Sequence, residues 1–382
     1  MDYSLEGETL TLLLPERIDT ASVQQVEEEV FALLAKHPHK ALVFDAERLE
    51  YISSVGLRLV LKVKKEEPTL RVENVSVEVY DIFEMTGFTQ ILEVRKKFRV
   101  VSVENCPLLG KGAYGKVYRL SPDTIVKSYF RGNSLEDIER ERKLAKLAFV
   151  LGIPTAISYD IVKVKEEKLG TVYELIDADS LLSTFAKNPD RYEEYVQAYI
   201  GLLDQMRRTR IDHDDLPSYK ADLSERLPRL RGYLDDEAVD RIEQYINDLP
   251  DDDFLCHGDC HFKNIFVTKD GFVLIDMDTL SKGSPYYDLG CLYKTYVTFD
   301  TVDPENSMKF FGIEREFTMK LFEDLFEGLY GNDPKRDEIR ARVEFQGWYM
   351  YYTHLCRAPE KHVRELKGGL PYLLKAMKGV GL

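Results

Sequence analysis

The sequence predicts two successive fold classes in one 382-residue chain, an α/β domain followed by an α+β domain. Three observations predict this. Over residues 1–98 short apolar runs alternate with amphipathic helical stretches. Over residues 99–180 β-like runs dominate, two of them flanking a cluster of glycines. Over residues 181–382 helical periodicity surrounds a single β-hairpin that ends in acids.

In the first segment Thr9 to Leu14 (TLTLLL) reads as a strand stopped by Pro15. Thr20 is placed to cap a helix that carries Val23, Val26, Val30 and Leu33 on one face. Ala41 to Phe44 is apolar without alternation and ends at Asp45, the pattern of a strand buried on both faces. Ser53 and Ser54 precede a second amphipathic helix with Leu57, Val60, Leu61 and Val63. A strand at Val75 to Val79 and a short helix from Tyr80 to Met85, ended by Gly87, complete the pattern.

This order, with the phrases LEYISSVGLRLVL and VYDIFEMTGFTQILEV, resembles the STAS domain of anti-sigma factor antagonists over residues 1–98. The resemblance implies a regulatory domain with a protein partner. It places Ser54 on the family's phosphorylated serine, although Ser53 stands where an acid usually precedes it and Val55 follows. A helix N-terminus tolerates phosphate, because free N–H groups and the dipole favour an anion there. Ser53 or Ser54 as a plain N-cap, worth about 1 kcal/mol, is the simpler expectation. Arg95 to Glu104 lacks Gly and Pro and reads as a connecting strand rather than a loose linker.

Leu108-Leu109-Gly110-Lys111-Gly112-Ala113-Tyr114-Gly115-Lys116-Val117 follows. A G-x-G-x-x-G run alone is weak evidence. Here it lies between two β-like runs with no helix opening after it, which favours a hairpin over phosphates rather than a strand-to-helix turn. Glycines let backbone approach phosphate where a Cβ would clash. Thr124 to Lys127 is a strand ending in lysine, and the helix from Ser134 to Leu151 offers it Glu141 or, on another face, Glu139. A strand at Ile157 to Val164, a turn at Glu166-Glu167-Lys168 and a strand at Gly170 to Ile176 come next.

Phe254 to Asp278 concentrates the chemistry. His257-Gly258-Asp259 precedes Asn264, and a hairpin (strand Asn264 to Thr268, turn at Lys269 to Gly271, strand Phe272 to Ile275) brings Asp276 and Asp278 back beside them. Two carboxylates and an amide converging in this way suit phosphoryl transfer.

The pattern H-G-D-x-H-x-x-N followed by I-D-x-D resembles the aminoglycoside phosphotransferase family, whose members share the bilobal protein-kinase-like fold and phosphorylate small molecules. The resemblance implies Asp259 as catalytic base, Asn264 and Asp276 as Mg2+ ligands and Asp278 as a further ligand or neighbour. It assigns Gly110, Gly112, Gly115, Lys127 and Glu141 to the phosphates of ATP or GTP. Backbone near Glu174 to Ile176 would meet the base, and Asp288 would tether the catalytic loop. The expected division is 1–98, 99–180 and 181–382. The acceptor would be an aminoglycoside-, choline- or sugar-like alcohol.

Rival readings fit less well. A protein kinase acting on a serine such as Ser54 would carry lysine where His261 stands, and a longer activation segment than the eleven residues between Asp276 and Asp288. Cys256, His257, Cys260 and His261 lack the spacing of a zinc site. A nucleotide-binding module without turnover would not require Lys127, Asp259, Asn264 and Asp276 together. The net charge of −15 argues against a nucleic-acid surface and is compatible with a cationic acceptor. Five scattered cysteines, no leader-like opening at Met1-Asp2-Tyr3-Ser4 and no span-length apolar run give the expectation of a cytoplasmic protein with no membrane partner. The aromatic run around Phe345, Trp348, Tyr349, Tyr351 and Tyr352 reads as core.

Overall fold

A computed structural model describes residues 1–112, 114–130, 132–164, 168–211 and 216–382. The expected turn residues Glu166 and Glu167, and residues 212–215 of the polar stretch after Arg210, lie outside them. The chain divides into two compact units, Met1–Ser102 with Ile161–Glu167, and Val103–Asp160 with Lys168–Leu382.

The first unit is a five-stranded sheet in the order β1 (Tyr3–Glu6), β2 (Thr9–Leu13), β3 (Ala41–Asp45), β4 (Arg71–Val75) and β5 (Glu93–Lys96). β1 and β2 form an antiparallel hairpin, and the remaining neighbours are parallel. The crossovers are helices α1 (Val23–Lys36), α2 (Ser54–Glu66) and α3 (Val77–Met85). Leu10, Leu12, Leu42, Phe44 and Val72 from the sheet meet Val30, Val60, Val63, Val79 and Phe83 from the helices in one core. The strand β6 (Arg99–Val101), expected as the connector, pairs in parallel with Val162–Val164 inside this unit.

Two local expectations are corrected and a third holds in position only. The strand placed at Val75 to Val79 ends at Val75, and Val77 to Val79 begin α3. The valine alternation suggested a strand, but Ser76 accepts the Val79 N–H at 3.3 Å and starts a helix. Thr20 does not cap α1; Ser22 holds that position without a side-chain cap bond, and Asp19 accepts the Ala21 N–H instead. Ser53 holds the N-cap position of α2, yet its hydroxyl makes no cap bond and lacks a hydrogen-bond partner.

In the second unit the strands β7 (Leu108–Lys111), β8 (Gly115–Arg119) and β9 (Thr124–Tyr129) form an antiparallel meander. After helix α4 (Leu135–Val150) comes strand β10 (Ser158–Val164), of which Ser158–Asp160 belong to this unit and the residues from Ile161 on to the first; β11 (Lys168–Glu174) then pairs antiparallel with β9. Ser134 caps α4 in a capping box with Asp137. Helices α5 (Leu181–Lys187), α6 (Tyr192–Arg208), α7 (Tyr219–Arg226) and α8 (Asp236–Asp248) follow.

The chain then returns to short strands. β12 (Phe254–Cys256) pairs with β15 (Ser281–Gly283), and β13 (Ile265–Thr268) pairs with β14 (Gly271–Leu274). Two strand pairs therefore clamp both ends of the segments 257–264 and 275–280. Helices α9 (Tyr287–Tyr293), α10 (Arg315–Tyr330), α11 (Arg336–Leu355) and α12 (Val363–Gly379) complete the unit.

The second half of α11, from Phe345 to Leu355, is buried on every face except at His354, whereas its first half carries exposed and half-buried charged residues. Phe345, Trp348, Tyr349, Tyr351 and Tyr352 all lie in the core, as the sequence suggested. α9 packs so closely on α11 that a Cβ on Gly290 would stand 2.5 Å from the Gln346 side chain. No helix among the described residues is long and apolar enough to cross a membrane.

Candidate active site

Lys127 is the fourth residue of β9, on the face that meets α4. Its Nζ lies 2.8 Å from Glu141 Oε1 and 2.8 Å from Asp276 Oδ1. Glu141 is buried on α4, whereas Glu139 is exposed, so of the two glutamates Glu141 is the one that reaches the lysine. Burial alone would lower the Lys127 pKa, but the carboxylates of Asp276 and Glu141 override it and raise the ammonium well above its ordinary range.

Glu141 has two further donors. Tyr173 OH gives a hydrogen bond to Oε1 at 2.9 Å and Tyr129 OH one to Oε2 at 3.0 Å. Burial, then the neighbouring Glu141 charge, raises both phenols, so they remain donors. Neither tyrosine stands out by motif. The signal available was register: Tyr129 is two residues beyond Lys127, on the same face of β9.

The segment from His257 to Asn264 is braced by bonds to its main chain. The Asp259 N–H donates to His257 Nδ1 at 3.2 Å, which leaves His257 Nε2 to donate to Ile275 O at 3.1 Å. Asp288 on α9 accepts the N–H groups of His257 and Gly258. Gly258 adopts φ +81°, and a Cβ there would stand 2.9 Å from Thr279 O, so this turn requires glycine. Tyr199 OH donates to Cys260 O, and Tyr296 OH accepts the Phe262 N–H. Cys256 and Cys260 are buried, and burial pushes both thiols up; they pack rather than react.

Asn264 Nδ2 donates to Asp259 O at 2.9 Å and lies 3.3 Å from Asp259 Oδ2, which turns the Asn264 amide oxygen the other way. The Ile275 N–H donates to Asn264 O at 3.0 Å, holding the start of β13 against the end of β14. Asp259 keeps its side chain 35% exposed, and His261 Nε2 is 3.7 Å from its Oδ2. Burial lowers the His261 pKa more than the nearby Asp259 raises it, so the ring is neutral at pH 7.

Asp276 sits in the left-handed region at φ +67°, a conformation that aims its carboxylate at Lys127. Burial would raise that carboxyl, but the Lys127 ammonium overrides it and holds it below the ordinary range. Asp278 is pushed up to about 7 by burial and by the Asp276 charge. Two crowded carboxyls and an amide oxygen are hard donors of the kind that Mg2+ takes alongside phosphate oxygens. Among the described residues no three His, Cys, Asp or Glu side chains gather into a metal centre of their own.

Of these groups, Lys127, Glu141 and Asp276 line a cavity of about 510 Å³, together with Gly110, Gly112 and Gly115 and with Glu174, Leu175 and Ile176; Asp259, Asn264 and Asp278 are not among its lining residues. Leu109, Val117, Ile125, Phe266 and Met277 supply apolar walls. The Glu174 N–H donates to Ile157 O and its side chain accepts the Ile157 N–H at 3.2 Å, so Ile157 does not spend that donor on the Glu174 carbonyl. Ser54, in the first unit, is exposed in the first turn of α2.

The model of the phosphotransferase enzyme family matches residues 106–317, more than half of the chain. The chain belongs to that family. The STAS domain model matches residues 4–101 of this phosphotransferase. A putative anti-sigma factor antagonist, BtrV of Bordetella bronchiseptica, is 38% identical over 81 residues, covering 20% of this chain and 69% of that protein. Among solved structures, a thermostable mutant of the aminoglycoside phosphotransferase APH(4)-Ia aligns with TM-score 0.50 at 10% identity, over 73% of this chain and 98% of that one. Its ternary complex with ADP and hygromycin B aligns with TM-score 0.50 at 9% identity, over 73% and 95%. At such identity the likeness is one of fold. An N-terminal STAS domain followed by a protein-kinase-like phosphotransferase domain is the architecture that the motifs implied.

Proposed function

We propose that this phosphotransferase moves the γ-phosphoryl group of ATP or GTP to a hydroxyl of a small molecule. The observation that carries the reading is the convergence of Lys127, Glu141 and Asp276 on one wall of the 510 Å³ cavity, with Asp259 and Asn264 hydrogen-bonded to each other on the adjoining segment.

In this reading the base stacks between Val117 and the apolar floor at Phe266 and Met277, and the main chain from Glu174 to Ile176 recognises its edge. The hairpin of Gly110, Gly112 and Gly115 covers the phosphates, and Lys127 holds the α- and β-phosphates. Asn264 and Asp276 would hold Mg2+, with Asp278 beside them; the ion neutralises charge on the phosphate oxygens. Asp259 orients the acceptor hydroxyl and accepts its proton as the oxygen attacks the γ-phosphorus. The bond from that phosphorus to the bridging oxygen breaks, and the nucleoside diphosphate leaves. Positioning and charge neutralisation supply the rate rather than covalent catalysis.

The acidic chain favours a cationic alcohol, such as an aminoglycoside- or choline-like acceptor. A STAS domain on the same chain supports a second reading, in which that domain regulates the transfer or offers Ser54, whose side chain is exposed, as the acceptor.

The test is transfer of labelled phosphate from ATP, with magnesium, to a panel of hydroxylated acceptors and to the protein itself, comparing wild type with Asp259→Ala. Label on a small acceptor, at least 100-fold slower in the variant, supports the first reading. Label on Ser54 only in the wild type supports the second. Equal rates in the two proteins would remove Asp259 from the mechanism.

A further inference from the structure

One ammonium faces two carboxylates at the same distance. Lys127 Nζ is 2.8 Å from both Glu141 and Asp276, and in the proposed reaction Lys127 is required by the phosphates and Asp276 by the metal. If the lysine settled on Asp276, both would be spent on each other. Something must weight the balance towards Glu141.

The sheet face under α4 supplies it. Lys127 and Tyr129 alternate along β9, and Thr171 and Tyr173 along β11, so all four side chains emerge on one face of the paired strands, with Lys127 directly opposite Thr171. Tyr173 and Lys127 bond to the same oxygen of Glu141, and Tyr129 bonds to the other at 3.0 Å. Thr171 Oγ1, 3.2 Å from Tyr129 OH, fixes the direction of that phenol. Tyr129 and Thr171 are buried, as is Glu141, so no water substitutes for a lost donor at no cost. Asp276, by contrast, has a side chain 36% exposed and reaches Lys127 from a strained turn.

We propose that Tyr129 and Tyr173 are positioning residues: their hydroxyls lock the Glu141 carboxylate against Lys127, and so keep Asp276 from capturing the lysine. The proposal rests on the reading of Lys127 as a phosphate contact and Asp276 as a metal ligand. Removing both hydroxyls, with the rings kept, leaves the Glu141 carboxylate with one donor and free to rotate, and Lys127 then closes on Asp276.

The experiment measures ATP dissociation constants by calorimetry, with magnesium and with EDTA, for the full chain. The variants are Tyr173→Phe, Tyr129→Phe/Tyr173→Phe, the same double variant with Asp276→Asn, and Lys127→Ala. The double Phe variant should bind ATP about tenfold more weakly in EDTA, the order of one charged hydrogen bond. Its gain on adding magnesium should shrink as well. Asp276→Asn in that background should restore the EDTA affinity, because the rival carboxylate is gone. A merely structural role for the tyrosines would not be rescued by a change on the far side of the lysine. If the double variant does not fold, Tyr173→Phe alone should show a smaller shift in the same direction. Wild-type affinity in both Phe variants, or no rescue by Asp276→Asn, overturns the proposal. Unchanged ATP binding by Lys127→Ala would instead overturn the reading of the nucleotide site on which it rests.

Discussion

The Asp288 carboxylate accepts the main-chain N–H of Gly258 at 2.7 Å and that of His257 at 3.2 Å, so α9 sets the entry to the segment that carries Asp259. Asp288 is buried, and burial raises its carboxyl above the ordinary range even though both N–H bonds pull it down. Asp288→Asn keeps the shape but turns an amide N–H towards one donor, for an expected cost of about 1–3 kcal/mol. A raised folded pKa gives a contribution to stability that is complete below the unfolded value near 3.8 and is lost as pH rises through the folded value. The gap between wild type and variant should therefore be wider at about pH 4 than at about pH 7. Urea titrations followed by the fluorescence of Trp348, the single tryptophan, read it directly. A gap that widened with pH would show that the ionised carboxylate is the preferred partner of the two amides.

The glycines of the hairpin should divide by what surrounds them. A Cβ on Gly115 would stand 2.4 Å from Ser128 O, a backbone atom of the paired strand, whereas one on Gly112 meets nothing within 4 Å. Gly115→Ala should cost about 1–3 kcal/mol by forcing β8 from β9, and should weaken ATP binding with it. Gly112→Ala should melt like the wild type and yet bind ATP more weakly, since only the phosphates would feel the methyl group. Thermal melts and ATP calorimetry separate the two. Full ATP affinity in Gly112→Ala would mean that the loop does not close on phosphate.

Much of this was legible in the sequence, for reasons specific to the residues. The β13–β14 hairpin could be read because apolar runs flank Lys269-Asp270-Gly271, and the aromatic stretch of α11 read as core ahead of a substrate-facing wall. Glu141 rather than Glu139 was assigned by the family resemblance alone; the residues themselves left both open, because both lie in a charged helix and only its rotation against β9 decides which one faces Lys127. Tyr129 and Tyr173 were missed for a related reason: their role depends on strand register, which no local motif encodes. The start of α3 was misread because three valines at every second position imitate a strand, and the cap at Ser76 outweighs them.

With Asp276 as the proposed Mg2+ ligand, removing the metal and removing that carboxylate should converge. In wild type, chelating magnesium with EDTA should weaken ATP binding about tenfold or more, a loss of at least 1.4 kcal/mol. Asp276→Ala should bind ATP with nearly the same affinity with or without magnesium, because Asn264 alone offers too few hard ligands. The same variant frees Lys127 from its second carboxylate, so its EDTA affinity should equal or exceed that of the wild type. An Asp276→Ala protein that kept the full magnesium dependence would move the metal to other ligands.

Two serines at helix starts in the first unit should respond in opposite ways. Ser76 accepts the Val79 N–H at 3.3 Å and caps α3, so Ser76→Ala should cost about 1 kcal/mol. Ser53 occupies the same position before α2, but its buried hydroxyl has no partner and makes no cap bond. Ser53→Ala removes an orphaned polar group, and the expected change is close to zero or about 0.5 kcal/mol in favour of the fold. Scanning calorimetry of the full chain, carried out on both variants side by side, compares them under one baseline. A loss in Ser53→Ala equal to that in Ser76→Ala would show that Ser53 caps α2 in solution, and would return the start of that helix to an ordinary capped N-terminus.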